Sequence, residues 1–188
     1  TAVPAWLFGR SMKDLLLIYV QQSETYPWGT LEYPNIYALL GEVMPDYYHA
    51  NEVSSAGTFM TIILLGLLAY YLYGKRIIIT NQMAATIALF SVALVVYTLP
   101  HMHDRYFYAA DILTLVLAFA FPVYFPTALL TEFASLLGYH AYLKMRYLLP
   151  MHYGAAALLI VLAVGIYFLA DSLAGKNGQN EQKEKIRA

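Results

Sequence analysis

The sequence predicts an all-α protein, a polytopic transmembrane helix bundle of about five spans with an extracytoplasmic loop that carries an interfacial amphipathic helix. Of the 188 residues, 60% are hydrophobic and only 12% are charged, and the mean hydropathy is +0.54. Several windows approach the roughly 20 apolar residues that cross the hydrocarbon core of a bilayer. Many of the 18 tyrosines stand at the ends of these windows, where amphipathic rings prefer the headgroup level.

Composition also excludes several classes of protein. A net charge of −1 gives no electrostatic reason to bind nucleic acid, and the absence of cysteine excludes a disulfide framework and a thiolate metal site. The chain opens at Thr1 with TAVPAWLFGRS, which is typical of the end of a preceding helix. We therefore expect it to be the carboxyl-terminal part of a longer protein, with a processed amino terminus as the alternative.

Residues 1–53 are predicted to form the extracytoplasmic loop. Ser11–Gln22 has an apolar side and a polar side, and it is too short to span a bilayer, so we expect it to lie along the interface. The following stretch, to Asn51, is punctuated by proline and glycine. The residues after Pro34 are expected to start a short helix.

Residues 54–170 are predicted to form the transmembrane bundle, and residues 171–188 a polar cytoplasmic tail without regular structure. Pro122 and Pro126 separate the third span from the fourth, although one long kinked span is an alternative there. The predicted spans are Ser54–Tyr73, Asn81–Leu99, Ala109–Phe121, Pro126–Leu143 and Met151–Ala170.

The positive charges predict the orientation of the bundle. Lys75 and Arg76 and the basic tail should face the cytoplasm, and the four spans between these two sites place both on the same side. Lys144 and Arg146 then lie outside, on the side of the loop that joins the second and third spans.

That loop contains most of the sequence LPHMHDRYFY. In it, ionisable residues are concentrated at the end of an apolar helix. Pro100 ends the second span, and Asp104 is placed to cap the third. If the third helix runs on from Asp104, then Tyr108 and Asp111 share its face, and Asp111 lies roughly 10 Å deeper at 1.5 Å per residue. An acid at that depth requires a partner or a wet cavity.

The other residues of this loop have several interpretations. Arg105 suits a phosphate or carboxylate at the outer interface, or it extends to lipid headgroups. His101 and His103 form an H-x-H pattern that resembles half of a metal site, but no cysteine and no nearby glutamate completes it, so we predict no metal site. The residues alone allow a helix cap, a headgroup anchor or a metal site. They do not choose among these three, and together they are compatible with a site that holds an anionic headgroup.

LPHMHDRYFYAADILTLV resembles the H-[DE]-R-Y motif of bacterial GT-C-type integral membrane glycosyltransferases. PAWLFGRSMKDLLLIYVQQSETYPWGTLEYPNIYALLG is similar to their loop with an interfacial helix and a Pro-Asn-[IL]-Tyr segment. The resemblance extends to about Leu143. It implies a prokaryotic plasma-membrane transferase that takes a sugar from a polyprenyl-phosphate carrier to an acceptor at the extracytoplasmic face.

Residue by residue, the resemblance implies that Arg105 binds the donor phosphate. It assigns supporting roles in that site to His101, His103 and Tyr106, and orienting roles to Asp104 and Asp111. The residues implied for the substrate loop are Tyr26, Tyr33, Asn35 and Tyr37.

The catalytic base of such enzymes is an Asp in an early extracytoplasmic loop, and nothing in this chain corresponds to that loop. We therefore expect the base to lie in a missing amino-terminal part of the same protein. A divalent cation is compatible with the chemistry, but no residue here requires one. The alternatives are a transporter or lipid flippase that uses Asp111 and the histidines as a proton relay, and a non-catalytic membrane scaffold subunit.

Overall fold

The computed structural model describes residues 2–15, 17, 30–31, 33–43, 51–74 and 79–187, and the structure is almost entirely helical there. Two short strands, β1 (Thr30–Leu31) and β2 (Met102–His103), form a single parallel pair. The helices of the described residues are α1 (Ala2–Leu7), α2 (Ile36–Val43), α3 (Asn51–Gly74), α4 (Asn81–Thr98), α5 (Tyr108–Ala120), α6 (Phe125–Lys144) and α7 (Met151–Arg187).

Three of these helices are long and apolar enough to cross a membrane, namely α3 over Val53–Gly74, α4 over its whole length and α7 over Met151–Asp171. The protein is therefore all-α, with the properties of an integral membrane protein. These three apolar segments agree with the predicted first, second and fifth spans to within one residue at each end. The predicted third and fourth spans correspond to α5 and α6, which are not among the three.

The predicted break between α5 and α6 is confirmed. Helix α5 ends at Ala120, a 3₁₀ turn occupies Pro122–Tyr124, and α6 begins at Phe125. The Ser135 hydroxyl of α6 donates to the Asp111 carboxylate near the start of α5, over 2.8 Å. This contact requires the two helices to run antiparallel as a hairpin, so the alternative of one long kinked helix is excluded.

Helix α4 contacts four other helices of the bundle, namely α2, α3, α5 and α7. It begins behind Thr80, whose hydroxyl accepts from the Met83 amide, and it ends at Thr98, as Pro100 predicts. The buried apolar residues of the core come mainly from α4, α5, α6 and α7. We refer below to the end of the bundle where α4 stops and α5 begins as the α4–α5 end.

The polar tail differs from its prediction. Helix α7 does not stop near Ala170 but continues to Arg187. Residues 181–187, EQKEKIR, are mostly strong helix formers, and their intrinsic propensity favours continuing a helix that the apolar part has already nucleated. The prediction of a tail without regular structure relied on polarity alone, which does not oppose a helix.

Two glycines allow the segment Tyr33–Tyr37 to enter the bundle at the α4–α5 end. A methyl group on Gly57 of α3 would collide with the hydroxyl of Tyr37. A methyl group on Gly154 of α7 would lie 2.8 Å from the Pro34 ring. Since real Cβ atoms do not approach other atoms so closely, both positions need glycine for the segment to fit between the helices.

Replacement of Gly57 tests this fit. Gly57→Ala should destabilise the protein by about 1–3 kcal/mol, because the buried Tyr37 ring must move. Gly57→Ala/Tyr37→Phe should recover part of this loss, since the closest atom is then absent. The measurement is the thermal unfolding midpoint in detergent micelles.

Gly66→Ala is the matched control on the same helix, since nothing lies within 4 Å of the added methyl group. It should be neutral or slightly stabilising because alanine has the higher helix propensity. An equal loss of stability in the two alanine variants would contradict the proposed close contact.

Candidate functional site

The two segments that the sequence singled out lie against each other at the α4–α5 end. Thr30 pairs with Met102 and Leu31 pairs with His103 in the parallel strands β1 and β2. The strands are about seventy residues apart in the sequence, and their pairing places the Pro-Asn-Ile-Tyr segment beside the His-Asp-Arg-Tyr segment. The sequence predicted each segment separately, and it contained no signal for this pairing.

Tyr33 connects the two segments through its ring. It is buried, with 1% of its surface exposed, and its ring centroid lies 5.2 Å from that of Phe107, which is equally buried. Burial raises the pKa of the Tyr33 phenol well above its ordinary value, and the nearby charge of Asp111 adds to the rise. The phenol is therefore neutral at physiological pH and acts in packing and hydrogen bonding.

The short helix expected after Pro34 is α2, which begins directly after Asn35 and includes Tyr37. The Asn35 side-chain oxygen accepts from the amides of Tyr37 and Ala38, at 3.1 and 3.3 Å, and so caps α2. Tyr37 donates from its hydroxyl to the Thr98 carbonyl at 2.8 Å, and burial raises the pKa of this phenol to about 12. Both side chains are nearly inaccessible, so they hold the segment against the end of α4.

His101 anchors the chain between α4 and β2. Its backbone is in the left-handed region, with φ of 61°, which an L-residue adopts at some cost. Its Nε2 lies 2.8 Å from the Ser54 hydroxyl near the start of α3. The described residues contain no group of three or more His, Asp or Glu side chains that could hold a metal ion.

Helix α5, which follows β2, begins later than a cap at Asp104 predicts. Asp104–Phe107 form a 3₁₀ turn whose preceding residue is His103, and α5 starts only at Tyr108. Asp104 is therefore the first residue of the turn, and it does not precede the helix as the capping prediction required. The clustered aromatic residues 106–108 favour this arrangement, since the tight turn buries Phe107 and leaves Tyr106 and Tyr108 exposed.

Arg105 lies on the surface of this turn, next to the ring of Tyr106. Its guanidinium carbon is 5.7 Å from the centroid of the Tyr106 ring, and the His103 ring lies 5.9 Å from the same ring at a steep angle. Tyr106 is about half exposed and Arg105 is exposed. The planar cation is thus supported from one side by an aromatic face, with its donors open to a ligand.

Asp111 lies below this surface and is buried, with 9% of its area exposed. One carboxylate oxygen accepts from Ser135, and the other has no hydrogen-bond partner among the described residues. The prediction that such an acid needs a partner is thus met in part by Ser135, which the sequence did not indicate. Glu132 was also missed, although an acid within an apolar helix is itself a signal.

Several predicted features take no part in the contacts above, or lie outside the described residues. Lys144 and Arg146 are exposed at the end of α6 and just beyond it. Residues 12–15 are helical, as the interfacial segment predicts, but most of the rest of that segment lies outside the described residues. Tyr26, Lys75 and Arg76 lie outside them entirely.

No family model matches the sequence, and neither a curated protein nor a solved structure is significantly similar to it.

A disulfide tests the contact between the two segments. Cα atoms of paired parallel strands are about 4.8 Å apart, which is within the range that a disulfide bridges. Because the natural chain has no cysteine, Thr30→Cys/Met102→Cys should oxidise to one intramolecular bridge and lose its reactivity toward a maleimide.

Thr30→Cys/Met145→Cys is the control, since Met145 follows the exposed end of α6. This pair should stay reactive under the same oxidation. Equal loss of reactivity in both variants, or none in the first, would contradict the strand pairing.

Proposed function

We propose that this chain binds the phosphate of a polyprenyl-phosphate-linked sugar, as the donor-binding part of an integral membrane glycosyltransferase. The proposal originates in the resemblance of the His-Asp-Arg-Tyr and Pro-Asn-Ile-Tyr segments to the GT-C-type enzymes. The observation that supports it best is the exposed Arg105, held beside Tyr106 and His103 where these two segments meet.

Arg105 has the chemistry that a lipid phosphate requires. Its guanidinium is charged at every physiological pH, and its fork of donors matches two phosphate oxygens at once. Contact with Tyr106 limits the orientations of the side chain, so less conformational entropy is lost when the phosphate binds. His103 is close enough to the same ring to add a second donor toward the ligand.

In the proposed reaction the polyprenyl phosphate is the leaving group at the anomeric carbon. Arg105, with His103, stabilises the negative charge that grows on that phosphate as the glycosidic bond breaks. The proton of the acceptor hydroxyl goes to a base outside this chain. The buried Tyr33, Asn35 and Tyr37 position the segment behind the phosphate site.

The proposal includes five spans, with the α4–α5 end at the extracytoplasmic face of a prokaryotic plasma membrane. Helix α5 has 13 residues and is about 20 Å long, which is shorter than the roughly 30 Å hydrocarbon core. Because α5 and α6 form an antiparallel hairpin, the chain returns to the side from which it left. The orientation of α3, α4 and α7 is therefore the same whether or not the hairpin crosses completely.

Replacement of Arg105 tests the phosphate assignment. Arg105→Ala should weaken binding of a short-chain polyprenyl phosphate by at least about tenfold, because a charge-assisted bidentate contact is lost. Arg105→Lys should recover only part of the affinity, since a lysine binds as a point charge. Binding is measured with the chain in nanodiscs at fixed ionic strength.

Arg146→Ala is the matched control, because it removes an exposed cation that does not belong to the His-Asp-Arg-Tyr segment. It should bind the lipid phosphate like the natural chain. If the alanine variants at positions 105 and 146 lose the same affinity, the effect is general electrostatics and the assignment is wrong.

Single cysteines test the proposed orientation. Met145→Cys, at the exposed end of α6, should react with a membrane-impermeant maleimide added to intact cells. Gly74→Cys, at the end of α3, should react only after the membrane is permeabilised, because the positive-inside rule places that end in the cytoplasm. Labelling of both cysteines in intact cells would contradict the topology.

A further inference from the structure

We propose that Asp111 and Glu132 form, with the hydroxyl of Thr131, a site for a divalent cation inside the α5–α6 hairpin. The site lies beneath the Arg105 surface, and the argument for it does not depend on the proposed transferase activity. Below, the carboxylate pair means Asp111 and Glu132.

The carboxylate pair is held together by the hairpin. Ser135 of α6 bonds one oxygen of Asp111 at 2.8 Å, and Glu132 is one helical turn away from Ser135 on the same helix. Residues three apart on a helix are neighbours on its surface, so Glu132 lies beside the contact between Ser135 and Asp111. Two carboxylates thus share the interior of a hairpin whose other residues are largely apolar.

Within the described residues, no positively charged side chain pairs with the carboxylate pair. Neither acid forms an ion pair with any part of the chain that the structure describes. One oxygen of each, Oδ1 of Asp111 and Oε1 of Glu132, is buried and lacks a hydrogen-bond partner among the described residues. An ionised group in such a position costs several kcal/mol unless something neutralises it. The pair therefore offers two open acceptor atoms, and a bound cation would neutralise the charges that both carboxylates carry when ionised.

Thr131 gives an independent indication of a ligand. It is 1% exposed, and its hydroxyl has no hydrogen-bond partner among the described residues. Other helical threonines donate to the carbonyl four residues earlier, including Thr58, Thr61, Thr86, Thr98 and Thr114. The hydroxyl of Thr131 does not make that bond. It lies one turn from Ser135 on the face of α6 that meets Asp111, and its oxygen is a third open acceptor.

The chemistry of these three atoms selects the ligand. All are hard oxygen donors, which suit Mg²⁺, Mn²⁺ or Ca²⁺ and do not suit softer metals. A charge of +2 balances the carboxylate pair. Three protein oxygens leave coordination positions for water, as Mg²⁺ and Mn²⁺ commonly do, whereas Ca²⁺ usually takes more protein ligands. Glu132 is only partly buried and provides the route of entry.

Mn²⁺ is a suitable probe because the sharp EPR spectrum of the aqueous ion disappears when it binds. The natural chain, purified in detergent and stripped of metal with EDTA, should bind one Mn²⁺ ion. Added Mg²⁺ should displace that ion. Asp111→Asn and Glu132→Gln should each weaken binding by more than about tenfold, a loss seen at metal sites even when only a residue that holds a ligand is changed. Thr131→Val, which keeps the shape of the side chain, should weaken it less.

Asp171→Asn is the matched control, since it removes an exposed carboxylate on α7 and should leave Mn²⁺ binding unchanged. Circular dichroism of each variant shows whether it is folded. If Asp111→Asn does not fold, the binding of Mn²⁺ by Glu132→Gln tests the proposal instead. The proposal is wrong if the natural chain binds no Mn²⁺, or if Glu132→Gln binds it with unchanged affinity. The proposal is also wrong if Na⁺ alone, or a lower pH alone, stabilises the EDTA-stripped protein against unfolding as much as Mn²⁺ does.

Discussion

The α4–α5 end depends on the insertion of a polar, proline-containing segment between membrane helices. Tyr33 to Tyr37 carry backbone and side-chain polar groups into an apolar environment, where each unpaired group costs several kcal/mol. Asn35 caps the short helix, and Tyr37 reaches the carbonyl of Thr98 at the end of α4. Gly57 and Gly154 remove the side chains that would obstruct the segment. These contacts position the turn that carries Arg105, because that turn packs on Tyr33 through Phe107.

The parts of this fold that follow from local chemistry were predictable from the sequence. Pro100, Pro122 and Pro126 act through their own geometry, so the end of α4 and the break between α5 and α6 were correctly predicted. Apolar length located α3, α4 and the apolar part of α7. The tail was predicted wrongly because polarity was taken as a sign of irregular structure, whereas Glu, Lys and Gln have high helix propensity.

The sequence predicted which residues belong to the site, but not how they are arranged. The sequence indicated Arg105, His103 and Asp111, but not the pairing of β1 with β2, because contacts between distant segments leave no mark on either one. For the same reason the contact of His101 with Ser54 and that of Asp111 with Ser135 were not foreseen. The capping role of Asp104 failed on a local detail, a 3₁₀ turn that delays the start of α5 by three residues. Such a turn depends on how Phe107 packs in the folded bundle.

The α5–α6 hairpin also has a consequence for how the chain enters the bilayer. Helix α5 is short and carries Asp111, and α6 carries Glu132, so each helix alone would present an acid to lipid. Paired, they turn Asp111 toward Ser135 and away from the hydrocarbon. In the proposed five-span arrangement, we therefore expect the two helices to enter the bilayer together, as a hairpin and not as individual helices.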